Sequence, residues 1–366
     1  MNFSEAHNVP LVAISILNWN GWQDTLECLE SVRRLDYPNY LTVVVDNGSW
    51  NGSADKIKAW AESNLGPGHA FADYSRETAL AGGHPETEKA LDRAPSPARL
   101  VLIRNEENLG FTGGNNVSIH YALQRSAAAD YVFLLNNDAK VESDCVAQLV
   151  RAGQATDAGI VGAMIKSSED DQPNVLGWDE SITPVQRFIY PISWRPKAHY
   201  ESAGDFKPML WVSGAAMLIS ADTLNDVYAL KMHYLDEKLF LYAEDVDLCH
   251  SARMTGHKTV VAPRAVISHH ASTSSGGGSS PVAYYYLNRN RVFTAQRQLP
   301  NPWRALFHGT NGVACLIRAA KNLAKGRVRS ARAIILGLVD GYRGVNGKWK
   351  FHDREVMHRI RARSED

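Results

Sequence analysis

Three polar clusters stand directly behind apolar runs, and their residue types suit ligand binding. Asn18-Trp19-Asn20 follows Leu11–Leu17, Asp46-Asn47-Gly48-Ser49 follows Leu41–Val45, and Asn136-Asn137-Asp138 follows Tyr131–Leu135. In open α/β sheets ligands sit at the carboxyl ends of the strands, so the three clusters should converge on one edge. Asx and Gly residues also make turns, which would explain any one cluster. Three in succession, with Asp46 and Asp138 each ending a buried strand, favour a site. A fourth cluster, Glu244-Asp245-Val246-Asp247, packs three carboxylates into four positions at a helix start. Capping and the helix dipole account for one or two acids there. Three beside Phe240 and Tyr242 point to a catalytic acid or base.

Two further segments carry chemistry only in context. Asn108–Asn116 is glycine-rich and leads into a helix, so its backbone N–H groups could approach phosphate or ribose oxygens. It is neither GxGxxG nor a P-loop, which lowers the case for a dehydrogenase or an ATPase. Ser268-His269-His270 follows a strand beside Gly276–Gly278, and adjacent loop histidines are often merely solvated.

Taken in order, these segments give the chain a specific resemblance. Leu17–Gly21, Val43–Ser49, Asn108–Phe111 with Gly113–Asn115, Leu134–Asp138, Val212–Ala216, Tyr242–Asp247, His269, and Tyr285-Tyr286 before Arg289-Asn290 match the family 2 glycosyltransferases of GT-A fold. Within them the chain is similar to the rhamnosyltransferase-like bacterial enzymes, over roughly residues 9–295. The resemblance implies that Asp46 accepts from the imide N–H of uracil or thymine, that Asp138 is the metal-binding acid of a DXD-type motif, that His269 is a further metal or diphosphate ligand, and that Asp245 is the general base. It implies donor contacts from Asn18, Asn20, Asp46, Asn47, Gly110, Gly113, Gly114 and Asn137, and a bound Mg²⁺ or Mn²⁺. Asn136-Asn137 depart from a full DXD and leave one carboxylate to face the metal.

The chemistry suits these roles. A sugar hydroxyl attacks only when a base takes its proton, and the departing diphosphate gathers charge that a divalent ion on oxygen ligands neutralises. One base and one metal serve a single displacement with inversion. The expected donor is dTDP-rhamnose, with UDP-hexoses behind it, and the expected acceptor a cell-surface glycan, free or lipid-linked. A binding protein without catalysis would not need Asp245. A processive synthase would want membrane helices and a Gln-x-x-Arg-Trp motif, and a nucleotidyltransferase a basic loop near the N-terminus; neither pattern is evident.

The elements that must position these residues follow from periodicity. Strands over Leu11–Leu17, Leu41–Val45, Arg99–Ile103, Tyr131–Leu135, Gly159–Lys166 and Trp211–Ile219, with strand pieces at Thr259–Val261 and Ala265–Ser268, alternate with helices over Thr25–Leu35, Asn115–Gln124 and Glu244–Thr255. This rhythm predicts a GT-A-like α/β fold: a mainly parallel nucleotide-sugar-binding sheet flanked by helices. The catalytic domain is expected over 1–295, with 64–99 partly a surface insertion and Asn174–Pro208 an irregular lobe. A helical, basic extension over 296–366 follows.

Composition bounds the rest. Of 366 residues, 45% are hydrophobic and 21% charged, which fits a chain with a full core. Net charge is zero, yet residues 301–366 hold 14 Lys and Arg against 5 Asp and Glu. The acidic body argues against nucleic acid. The basic tail suits either an anionic membrane surface or the enzyme's own acidic body, and Trp303, Phe307, Trp349 and Phe351 among its charges suit a headgroup region. Cys28, Cys145, Cys249 and Cys315 are far apart and read as buried thiols. No secretory signal or 18-residue apolar run is seen, so a cytoplasmic protein is expected, with peripheral contact at the inner face of the membrane left open.

Overall fold

A computed structural model describes residues 9–167, 170–179, 194–196, 206–269 and 280–352. β1 (Val12–Asn18) lies at the centre of its first half, with β2 (Tyr40–Asn47) on one side and β5 (Tyr131–Asn136) on the other, all parallel. β4 (Arg99–Asn105) and β3 (Ala70–Ser75) extend this parallel array outward from β2. These strands alternate with α1 (Trp22–Val32), α2 (Ser53–Asn64), α3 (Arg76–Leu80), α4 (Pro85–Arg93) and α5 (Gly110–Gln124). Because both sheet faces are covered, β1 reads as one continuous buried run rather than an alternating one.

Beyond β5 the sheet turns mixed. β11 (Ala216–Ser220) runs antiparallel to β5 and to β7 (Ala158–Ser167), and β12 (Lys258–His269) lies parallel to β7. β6 (Ala139–Val141) pairs with the end of β12, and β10 (Lys207–Val212), β8 (Asp170–Asp179) and β9 (Trp194–Pro196) complete an antiparallel flank. The expectation of a mainly parallel sheet therefore holds for its N-terminal half and for the β7–β12 pair, while the other described pairs are antiparallel. β7 and β8 are only two residues apart in sequence, a spacing that an antiparallel pair permits and a parallel pair does not.

Helices cover the two faces. α1, α2 and α6 (Cys145–Thr156) bring Cys28, Leu29, Ile57, Val146 and Leu149 against Ile14, Ile16 and Val44. On the other face α5, α7 (Ala221–Lys231) and α8 (Glu244–Met254) bring Ile119, Tyr121, Leu224 and Leu248 against Val43, Val45 and Leu134. α9 (Pro281–Gln298), α10 (Trp303–Ala324) and α11 (Val328–Tyr342) form a C-terminal layer. Its Val282, Tyr285, Tyr286, Ala333 and Trp349 share one cluster with Phe240 of the body. All four cysteines are buried and free.

Several expected boundaries are corrected. Within the segment 64–99, expected to be partly a surface insertion, β3 is the sheet's edge strand, and Glu88 is buried where Tyr74, Tyr121 and Arg125 all donate to its carboxylate. An edge strand buried on alternate residues, beside a hub built of polar side chains, has the composition of a surface loop. The single strand expected over Trp211–Ile219 is two strands, β10 and β11, broken at Ser213–Ala215. The lobe expected over Asn174–Pro208 includes much of β8 and all of β9, while 180–193 and 197–205 lie outside the described residues. The two pieces expected near Pro263 are one strand whose register shifts between Ala262 and Val266. α9 runs straight through the boundary drawn at 295/296.

Candidate active site

The parallel half delivers its polar clusters to one edge. Asn18 and Asp46 are register partners across β1 and β2, and Leu17 faces Asn136 across β1 and β5. Strands lie about 4.8 Å apart, so Asp46 and Asn136 flank β1 with about 10 Å between them. Asn18, fully buried, donates to Asp46 Oδ1 at 2.6 Å and accepts from Thr25 Oγ1 and Gly21 N–H. The Asp46 carboxylate also accepts from Ser49 N–H at 3.1 Å, so its orientation is fixed from two sides.

Asp138 and His269 meet at the other end of this edge. β12 carries His269 opposite Ala139, which puts its Nε2 at 2.9 Å from Asp138 Oδ1 and 3.1 Å from Asn136 Nδ2. A neutral imidazole accepting from Asn136 sets a lone pair beside a carboxylate oxygen, an arrangement that calls for a proton or a cation. Neighbouring ligands on an octahedral ion with bonds of about 2.1 Å lie about 3 Å apart, so the pair fits one edge of a Mg²⁺ or Mn²⁺ shell.

Asp245 comes from a different layer. It sits in the first turn of α8, where its Oδ2 accepts from Gly214 N–H at 3.1 Å and its Oδ1 from Val246 N–H at 2.8 Å. Gly214 lies next to Ala215, whose carbonyl accepts from Asn136 N–H at 3.0 Å, so one short turn joins the carboxylate to the end of β5. A Cβ at Gly214 would sit in ordinary contact, at 3.5 Å, with Phe111 and with the Cβ of Asp245. Burial pushes the Asp245 carboxyl up to about 6, and the two backbone N–H groups oppose that rise. Glu244 beside it is more buried, has an unpartnered Oε2, and is held well above the usual carboxylate range by burial and by Asp245. Asp247 points elsewhere, to Lys231 and Arg297. Of the three acids, Asp245 is the one bonded to the turn that reaches the end of β5.

Other expected ligands have structural duties. Asn47 donates to Asn108 Oδ1 and Gly110 O and accepts from Asn105 and Leu109 N–H, so its amide is spent holding the start of α5. Asn20 accepts Trp50 N–H, and Asn137 donates to Gly21 O and Thr25 Oγ1. The glycine-rich segment is corrected: α5 begins at Gly110, so Gly113 and Gly114 lie in the helix. A Cβ on Gly114 would meet Leu17 at 2.4 Å, and one on Gly110, where φ is +76°, would meet Phe240 O at 2.3 Å. Thr112 N–H already donates to Phe240 O, and Gly110 N–H to Asn108. These glycines let the helix lie close, and the N–H groups of Gly110 and Thr112 already have partners.

Arg289 and Asn290 stood in the sequence without a role. Asn290 Nδ2 lies 2.7–3.0 Å from the carbonyls of Leu239, Leu241 and Tyr242. Arg289, completely buried, donates to the carbonyls of Lys238, Leu239 and Gly347 and lies over the rings of Tyr285 and Tyr286. The loop they hold has three non-glycine residues at positive φ (Phe240, Tyr242 and Ala243) and leads directly into Glu244 and Asp245. An Arg-Asn pair in a helix otherwise lined with tyrosines was the signal available in the sequence.

Among the described residues one other acidic group gathers within 4.8 Å, His233, Asp236 and Asp247. Arg297 donates to Asp236 at 2.5 Å and Lys231 to Asp247, so two cations already balance those carboxylates.

A sheet edge bearing one clamped acid, a His–Asp pair and a carboxyl raised to about 6 suits a glycosyltransferase. The family model described as Glycosyltransferase like family 2 matches residues 83–291, and the chain belongs to that family. A curated relative is the low-salt glycan biosynthesis hexosyltransferase Agl10 of Haloferax volcanii, 29% identical over 158 residues. That match takes in 42% of this chain and 46% of the relative, so the chain aligns with about half of the relative's length. Among solved structures, the mannosyltransferase PcManGT from Pyrobaculum calidifontis, in complex with GDP-Man and Mn²⁺, superposes with a TM-score of 0.53 at 15% identity, covering 92% of this chain and 88% of that one. S. aureus TarS 1-349, in complex with UDP-GlcNAc, gives a TM-score of 0.53 at 13% identity over 91% and 81%. Identities this low bear on fold alone, and the fold is of the GT-A type.

Proposed function

We propose that the protein is an inverting, metal-dependent glycosyltransferase that moves a hexose from a nucleoside diphosphate to a hydroxyl of a cell-surface glycan. The observation that carries this reading is the convergence of Asp46, the Asp138–His269 pair and Asp245 on one sheet edge. Asp46, clamped by Asn18 and Ser49, receives the imide N–H of the base. Asp138 and His269 hold the divalent ion, which when bound offsets the charge of the departing diphosphate. Asp245 takes the proton from the acceptor hydroxyl as that oxygen bonds to the anomeric carbon and the bond to the diphosphate breaks. A base near 6 is mostly ionised at neutral pH and still basic enough to accept the proton. One displacement inverts the anomeric centre.

The resemblance to rhamnosyltransferase-like enzymes supports dTDP-rhamnose as the first donor to test. GDP-mannose and UDP-N-acetylglucosamine follow, as the ligands named with the two similar structures. A thermal-shift panel of these donors with and without Mn²⁺ decides: a donor at 100 times its Kd stabilises the fold by about 2.7 kcal/mol. A cation-dependent shift with one donor is expected. No shift with any nucleotide sugar would overturn the reading.

A further inference from the structure

We infer that the outward face of α10 is a docking surface for an anionic lipid membrane. The helix turns the wrong way round for a soluble surface. Toward the body it buries Phe307, Asn311, Cys315, Ala319 and Asn322, a stripe that includes two amides. Toward solvent it presents Leu306, Val313, Leu316, Ile317 and Leu323, each between 46% and 61% exposed. Gly309, Ala320 and Ala324 fill the gaps between them, and no charged residue interrupts the face. A surface helix normally keeps its apolar stripe inside, and a contiguous exposed apolar patch marks an interaction site.

Charge chooses the occupant. From Leu299 to His352 the chain has ten Lys and Arg and a single acid, Asp340, which accepts from Tyr285. Lys321, Lys325, Arg327 and Arg329 are exposed along the flank and beyond the C-terminal end of α10, next to Val328, which is 62% exposed. Two copies joined through this face would bring like charges together within roughly a Debye length, about 8 Å. An anionic lipid surface complements them, each basic group contributing favourably close to the headgroups. No described helix is long and apolar enough to cross a membrane. At 22 residues α10 is about 33 Å long, and it lies along the interface with its apolar face among the upper acyl chains. Trp303, 42% exposed at its start, marks the rim. The aromatics expected to serve as headgroup anchors divide: Trp303 is outside, while Phe307 and Trp349 are buried in the C-terminal layer.

This inference does not depend on the donor or on Asp245, and its test uses the full chain. Sedimentation with phosphatidylglycerol–phosphatidylcholine vesicles at low salt should pellet the protein, with pure phosphatidylcholine much less effective and added salt releasing it. The double variant Leu316→Glu/Ile317→Glu should lower the partition coefficient by about tenfold or more, because two side chains no longer leave water. Lys321→Glu/Lys325→Glu should erase the preference for anionic lipid. Both faces are exposed, so each variant should keep the wild-type melting temperature. Failure of the wild type to bind anionic vesicles at low salt would overturn the inference, as would unchanged binding by Leu316→Glu/Ile317→Glu. So would light scattering that finds a dimer which these substitutions dissociate, since a second copy would then cover the face.

Discussion

At the residue scale the burial of Asp245 ties activity to pH. Its carboxyl sits near 6, so kcat should fall below that value as the base becomes protonated. The acidic limb belongs to the Asp245–Glu244 pair, because each raises the other's cost of ionising. Asp245→Asn should lose about 10²–10⁴-fold in turnover and bind donor as before. A near wild-type rate would remove Asp245 from the role. Burial also sets a stability trend. The folded state holds this proton more tightly than the unfolded chain, whose carboxyl ionises at about 3.9, so Asp245 costs stability as pH rises from about 4 to above 6. The melting temperature of Asp245→Asn, measured relative to wild type, should therefore climb between pH 4 and pH 8. A flat difference would contradict the buried carboxylate. For the metal pair, Asp138→Ala should abolish the effect of Mn²⁺ on donor-induced stabilisation, and His269→Ala should weaken it. His270→Ala should leave it nearly intact, since the motif position is that of His269; His270 itself lies outside the described residues. Full activity in excess EDTA would defeat both assignments. Asp46 and Asp138 stood out in the sequence because an acid behind an apolar strand has few reasons to be there, and the fold buries both at the end of a strand. Asn18, Asn20, Asn47 and Asn137 read the same whether an amide meets a ligand or a loop; in the fold each has a loop partner, and the Nδ2 of Asn20 has none among the described residues.

At the element scale the loop before α8 matters most. Three non-glycine residues at positive φ cost on the order of 1–3 kcal/mol each, and such strain persists only where the surroundings hold it. The holders are Asn290 and Arg289, which satisfy the carbonyls of residues 238–242 from α9. Asn290→Ala would leave buried carbonyls unpaired, at about 1–3 kcal/mol, and let Asp245 drift from Gly214. The expected result is a lower melting temperature and a lower kcat with the donor KM nearly unchanged. A rise in KM alone would place Asn290 at the donor instead. The sequence could not disclose this strap, because its two halves are about 50 residues apart and neither half is unusual alone. Even longer separations along the chain hid the purpose of Gly110 and Gly114. Their glycine content was legible, but the Phe240 carbonyl and the Leu17 side chain that forbid a Cβ come from other elements.

At the scale of the whole molecule the C-terminal layer and the catalytic sheet share a core. The helical, basic character of residues beyond 295 was legible in the sequence from composition and period. Their attachment was not, because Tyr285, Tyr286, Trp349 and Phe240 meet only in the fold. Trp349 stacks on Tyr285 with ring centroids 4.4 Å apart, and its backbone N–H donates to Tyr286 Oη at 2.8 Å. Gly347 O accepts from Arg289 at 2.6 Å, and Gly347 N–H donates to Lys238 O at 2.8 Å, inside the strained loop. Ending the chain at residue 299 would remove α10, α11 and both of these residues. Arg289 would keep its charge, lose one of its carbonyl partners and face partial exposure of its aromatic cover, and leaving a buried donor unpaired costs about 1–3 kcal/mol. Exposing Tyr285, Tyr286 and the apolar inner face of α9 adds to that loss, and the sum is a large part of the 5–15 kcal/mol that holds a domain together. A chain of residues 1–299 should therefore be insoluble, or unfold well below the full-length protein and show no turnover even with a soluble acceptor. If it instead melts cooperatively at the wild-type temperature and binds donor, the layer folds independently, and residues 238–243 hold their shape without Gly347.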